Sequence, residues 1–163
     1  MDDEETLTAY HEAGHAVIGY LLGGRIESVC LGDDGDDELP RRFGDCRVNW
    51  GPVDPRADWQ LQREILTLLA GPVAEMIYRG EKLHPAVFGP WTEDWRLAFE
   101  RGAGIATDPR RRTRALEELI AHLHSRMKAD PYWAAIAAVA DQLLAHEFME
   151  EDALSDTLAF WIG

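Results

Sequence analysis

Leu7-Thr8-Ala9-Tyr10-His11-Glu12-Ala13-Gly14-His15-Ala16-Val17-Ile18-Gly19-Tyr20-Leu21-Leu22 carries a helical period and an H-E-x-x-H spacing in one run. Val17, Ile18, Leu21 and Leu22 continue an apolar stripe, which predicts a buried helix over 7–22. Residues four apart share a helix face, so His11 and His15 can reach one ion. Zinc suits two neutral imidazoles and leaves room for a third protein ligand and a water. Glu12, adjacent but partly around the helix, is placed to take that water's proton. Polar residues on a buried helix need a reason to be there, and a metal supplies one. Ala13 and Gly14 keep the inner turn small, although Gly14 costs about 1 kcal/mol against Ala in a helix interior.

Outward from this helix, Gly23-Gly24 is a stop signal. Residues 25–31 and 46–50 then alternate as two short strands, predicting a small β hairpin. The acidic stretch 32–38 between them lacks the ligand spacing of a calcium loop and is expected to be a solvated turn. Asp54-Pro55 resembles an N-cap and first helical residue. The stripe Ile65, Leu68, Leu69, Val73 and Ile77 runs on to Gly80, with a kink or break expected at Gly71-Pro72. Residues 82–90 are expected to form a loop. Thr92 is expected to cap a helix holding Asp94, Leu97, Ala98 and Ile105. Asp108-Pro109 and Asp130-Pro131 predict two further helices, and residues 151–161 a last short one. Trp133, Phe148, Phe160 and Trp161 are expected to be packing residues. The fold class is therefore mainly α, with a small β hairpin after the metal helix, in one domain over 1–163.

Composition limits the function. The chain has 163 residues and a net charge of −14, which argues against nucleic-acid binding, because phosphate contacts need clustered Lys and Arg. The basic run Arg110-Arg111-Arg112 with Arg114 is read as a solvated face. No apolar stretch approaches the ~20 residues of a membrane span, and the acidic start is unlike a secretory leader. A cytoplasmic protein without membrane insertion is expected. Cys30 and Cys46 flank one loop, where a bridge is geometrically feasible, but free thiols fit a cytosolic setting better.

Two histidines need a third ligand to hold catalytic zinc. The metzincin continuation would place Gly at position 18 and His at 21, where Ile18 and Leu21 stand. Glu75, on the second helix, and Asp94, near the start of a later one, remain as open alternatives. His84, His122, His124 and His146 read better as surface, packing or helix-end residues.

The segment 8–17, Thr-Ala-Tyr-His-Glu-Ala-Gly-His-Ala-Val, resembles the opening of the protease domain of FtsH-type ATP-dependent zinc metalloproteases. Residues 68–75, Leu-Leu-Ala-Gly-Pro-Val-Ala-Glu, followed by Gly80, are similar to that family's LLGGRAAE helix. Residues 89–95 with Ala98 resemble its GASNDLxxAT segment, and the stretch from Trp133 through Leu154 is similar to its terminal helices. The resemblance implies His11, His15 and Asp94 as zinc ligands, Glu12 as general base and Glu75 as a neighbouring carboxylate. The chain departs from the family in several places. Pro72 replaces the second Gly of a pair, Thr92-Glu93 replaces Ser-Asn, and the acidic stretch 33–38 replaces a Pro-Arg-Gly strand end. Neither a phosphate-binding loop nor an anchor is read in the sequence. The resemblance therefore carries over the zinc chemistry but not energy-driven proteolysis.

The expectation is a zinc metalloendopeptidase, ATP-independent in this chain, acting on flexible peptides or unfolded polypeptides. A separate ATPase partner or a homo-oligomer is left open. The alternative is a non-catalytic binding or regulatory module on a peptidase scaffold.

Overall fold

Helix α1 (Glu4–Leu21) contains the H-E-x-x-H turn, and its residues from Leu7 to Gly19 are buried except Tyr10. It ends where Gly23 takes a left-handed φ of 96° and the Gly24 N–H reaches back to the Gly19 carbonyl at 2.9 Å. The computed structural model describes residues 4–32 and 45–163, so most of the acidic stretch 32–38 lies outside the described residues.

A three-stranded antiparallel sheet follows in the order β2-β1-β3, built from β1 (Arg25–Cys30), β2 (Asp45–Asn49) and β3 (Phe148–Glu150). The predicted hairpin is β1 with β2. The short third strand joins through pairing of Val29 with Met149. A register shift between Ile26 and Ser28 inserts Glu27 as an extra residue, which lets both Ile26 and Val29 face the core. Cys46 pairs with Val29 and Cys30 with Asp45, so the two thiols sit on opposite sheet faces, and both are free.

Helix α2 (Asp58–Arg79) packs along α1 and is one uninterrupted element through Pro72. The expected break at Gly71-Pro72 does not occur. Proline deletes a single N–H donor, and burial of the flanking Leu69, Ala70, Val73 and Ala74 against the core holds the helix together. The start also differs. Asp54 and Pro55 form a turn in which Asp54 accepts from the Arg56 N–H at 3.0 Å, and the helix begins four residues later. Arg63 ties this first part of α2 to its surroundings. Its guanidinium lies 4.5 Å from the ring centroids of both Trp50 and Trp59 and donates to the Leu22 carbonyl at 3.0 Å.

A 3-10 turn over Gly89–Trp91 leads into α3 (Thr92–Arg101). Thr92 is the first helical residue rather than the cap, its hydroxyl donating back to the Gly89 carbonyl at 2.9 Å. Ile105 lies beyond the helix and is exposed. Helix α4 (Pro109–Met127) starts as predicted, with the Asp108 carboxylate accepting from the Arg111 N–H at 3.1 Å. Helix α5 (Tyr132–His146) begins after a cis Asp130-Pro131 bond, one residue later than the sequence suggested. Helix α6 (Glu151–Ile162) closes the chain.

Among the described residues, one apolar cluster draws on all six helices together with β1 and β3. Trp133 packs against it and stacks on Tyr10 at 5.5 Å. Phe148, Phe160 and Trp161, expected to pack, are exposed instead. Met149 takes the inward position of β3, and α6 buries its Leu154–Leu158 face, which turns Phe160 outward. Among the described residues, no helix is long and apolar enough to cross a membrane.

Candidate metal centre

The four-residue spacing on α1 stacks the imidazoles of His11 and His15 edge to face, with centroids 4.8 Å apart. The side-chain atoms that His11, Glu12 and His15 offer to a metal all lie within 4.8 Å of one another. Asp94 comes in from the first turn of α3. Its Oδ2 lies 2.8 Å from His11 Nε2 and 3.3 Å from His15 Nε2. Two residues one helical turn apart are thus met by a carboxylate from a distant helix, 83 positions beyond His11.

An oxygen stands behind each imidazole, hydrogen-bonded to His15 and at ion-pair distance from His11. His15 Nδ1 donates to the Thr67 carbonyl on α2 at 2.7 Å. A carbonyl only accepts, so the neutral ring carries its proton on Nδ1 and presents a lone pair at Nε2. His11 Nδ1 faces Glu75 Oε2 at 3.8 Å, and the same oxygen accepts a hydrogen bond from the Trp91 indole N–H. Glu75, one of the two open candidates, therefore sits on the Nδ1 side of His11, fully buried, whereas Asp94 sits on the Nε2 side of both rings.

Gly71 forms the floor. A Cβ at that position would lie 2.4 Å from His15 Nε2 and 2.7 Å from His11 Nε2. Gly14 serves helix packing, since a Cβ there would lie 2.5 Å from the Ala70 carbonyl oxygen.

Electrostatics follow from this enclosure. Burial disfavours an imidazolium at His11, but the hydrogen bond to Asp94 and the charges of Asp94 and Glu75 outweigh it and raise its pKa to about 10. His15 is likewise raised, with the Asp94 charge overcoming burial. Burial pushes Asp94 up, yet the two histidines beside it hold its carboxyl below the ordinary carboxylate range. Burial raises Glu12, against the pull of His15 and His11. The Cys46 thiol is pushed well up by burial and then by the Glu12 charge. Protons and a divalent cation therefore compete for the same imidazole nitrogens.

The donor set fits zinc. Two imidazole nitrogens and a carboxylate oxygen converge, and both rings have their second nitrogen facing an oxygen behind them. The centre opens into a cleft of about 690 Å³, walled by α2 and α3 on one side and by β2, through Cys46 and Val48, on the other. Trp50, Leu68 and Leu97 supply further apolar lining. None of His84, His122, His124 or His146 lines this cleft. His84 instead pairs with Glu117 at 3.0 Å and meets the Trp95 ring edge-on.

Sequence reading missed three contributors: Gly71, the Thr67 carbonyl and Trp91. Only Gly71 left a signal, which reads in the sequence as a helix break beside Pro72. Arg112 was also misjudged. It donates to the carbonyls of Ala106 at 3.0 Å and Thr107 at 3.0 Å, and packs over Phe99, instead of standing in solvent. No protein-family model matches the chain, and no curated protein matches it.

Proposed function

We propose that this chain is a zinc-dependent endopeptidase domain of the FtsH type, acting on flexible or unfolded polypeptide without ATP. The observation that carries the reading is the convergence of His11 Nε2, His15 Nε2 and the Asp94 carboxylate beside Glu12 in an open cleft. His11, His15 and Asp94 would hold the ion. Zinc at such a site supplies Lewis acidity, polarising a carbonyl and making a water a stronger acid. Glu12 takes the proton of the attacking water as hydroxide adds to the scissile carbonyl carbon, then delivers it to the amine as the C–N bond breaks. Its burial and raised pKa suit a group that must hold a proton between the two events. The terminal strand β2 walls the cleft, and an extended chain can lie along a sheet edge where a folded surface cannot. A cytoplasmic setting, with both thiols reduced, belongs to the same proposal.

The test is a fluorescent-casein time course with wild type, Glu12→Gln and a chelator control. Wild type is expected to cut casein slowly with no effect of ATP, and Glu12→Gln to keep its zinc and lose turnover. Zinc-loaded wild type that cuts nothing across a broad peptide library would refute the reading and leave a binding module.

A further inference from the structure

Trp91 is completely buried at the end of the 3-10 turn that starts α3. Its ring packs edge-on against Phe88 at 4.6 Å, and its indole N–H donates to Glu75 Oε2. That oxygen faces His11 Nδ1 at 3.8 Å. Three residues after Trp91, Asp94 meets the opposite nitrogen of the same ring at 2.8 Å. One residue therefore touches the carboxylate behind His11 and anchors the helix that brings in the carboxylate before it.

We infer that Trp91 is a positioning residue for the metal centre. Its indole N–H fixes which Glu75 oxygen faces His11 Nδ1, and so holds the imidazole with Nε2 toward Asp94. The inference rests on the zinc reading above. Indole suits the task because it is a donor only, so the Glu75 oxygen that it meets must accept. Its large rigid body is also fully buried and packed against Phe88, so the donor cannot wander. A carboxylate buried as deeply as Glu75 would, without fixed donors, rotate or recruit water, and the ring it faces would lose its orientation. Outer groups that orient a ligating histidine typically change metal affinity by about 10–100-fold when removed.

Trp91→Phe keeps an aromatic ring and removes only the donor. Zinc affinity is measured by competition with a chromophoric chelator, and the ligand field by the visible spectrum of the cobalt-loaded protein. Trp91→Phe is expected to bind zinc about 10–100-fold more weakly and to shift the cobalt bands. Glu75→Gln should show a similar loss. Because both act along one chain of contacts, the double variant should lose little beyond the larger single loss. Losses that multiply would mean that Trp91 acts by packing alone and would overturn the inference, as would a Trp91→Phe affinity within about twofold of wild type.

Wild type that takes up neither zinc nor cobalt would remove the metal-centre reading and this inference with it. Metal-binding wild type with an unaffected Trp91→Phe removes the inference alone. Should Trp91→Phe fail to fold, the wild-type NMR spectrum decides. The Trp91 indole proton should be downfield, slow to exchange and shifted on zinc addition, and an indole exchanging as fast as that of exposed Trp59 refutes the contact.

Discussion

Replacing Gly71 by Ala should separate metal binding from folding. In a helix interior the added methyl is worth about 0.5–1 kcal/mol of stabilisation through backbone entropy. Here it would point at the two imidazoles. At 2.4 Å from His15 Nε2 it stands 1.0 Å inside the 3.4 Å at which ordinary contact begins, and it lies 2.7 Å from His11 Nε2. Both obstacles are side-chain ends, so the rings can give way. His15, however, can retreat only by stretching its 2.7 Å bond to the Thr67 carbonyl, a loss of about 1 kcal/mol. Gain and loss nearly cancel for folding, and the melting temperature should move by no more than a few degrees. Zinc is affected differently, because a nitrogen pushed aside by about 1 Å cannot hold a bond of about 2.0–2.1 Å. A loss of more than about 100-fold is expected, beyond the effect of an outer-group change. The assay is chelator-competition zinc titration beside thermal melts, with Gly14→Ala as the contrast. At Gly14 the methyl meets the Ala70 backbone at 2.5 Å, so folding should suffer by about 1–3 kcal/mol instead. Gly71→Ala binding zinc within about threefold of wild type would refute the geometry of the floor.

Asp94→Asn should lose zinc more completely than Glu75→Gln, because Asp94 lies on the Nε2 side of both rings and Glu75 behind one of them. Titrations showing the reverse order would move the third ligand to Glu75. With metal chelated, the His11–Asp94 pair should make the protein most stable between about pH 4 and 6.5. His11 contributes fully below its ordinary 6.5 and loses its contribution as pH rises through about 10. Asp94, held low, contributes above its ordinary 3.8 and loses its contribution as pH falls further. Zinc affinity should run the other way, rising about tenfold per pH unit for each imidazole proton displaced, and melts and titrations across that range check both signs. Arg112→Ala should destabilise by about 1–3 kcal/mol, because it removes charge-assisted bonds to backbone carbonyls, whereas Arg111→Ala should stay within about 0.5 kcal/mol. Equal melting temperatures for the two variants would contradict the assigned role of Arg112.

Local features were legible from the chain. The i, i+4 spacing of His11 and His15 is a property of one helix, as are the apolar stripes of α4 and α5 and the Asp108-Pro109 start. The hairpin of β1 and β2 showed in its alternation, but the extra residue Glu27 did not, since a bulge is defined only against a partner strand. Strand β3, three residues long, exists only because β1 offers it an edge.

What lay far apart in the chain had to await the packing of helices. Glu75 and Asp94 are equally good carboxylates on paper, and only the placement of α2 and α3 around His11 puts one at Nδ1 and the other at Nε2. Gly71-Pro72 reads as a helix breaker when only its neighbours in sequence are weighed. In space the glycine is the room that two imidazoles occupy, and the helix carries on because the core holds it. The sequence by itself determined two ring nitrogens on one helix face and a base beside them, because helix geometry relates residues four apart. The tertiary structure decided what meets those nitrogens, because contacts across more than sixty residues depend on how elements pack and have no period along the chain.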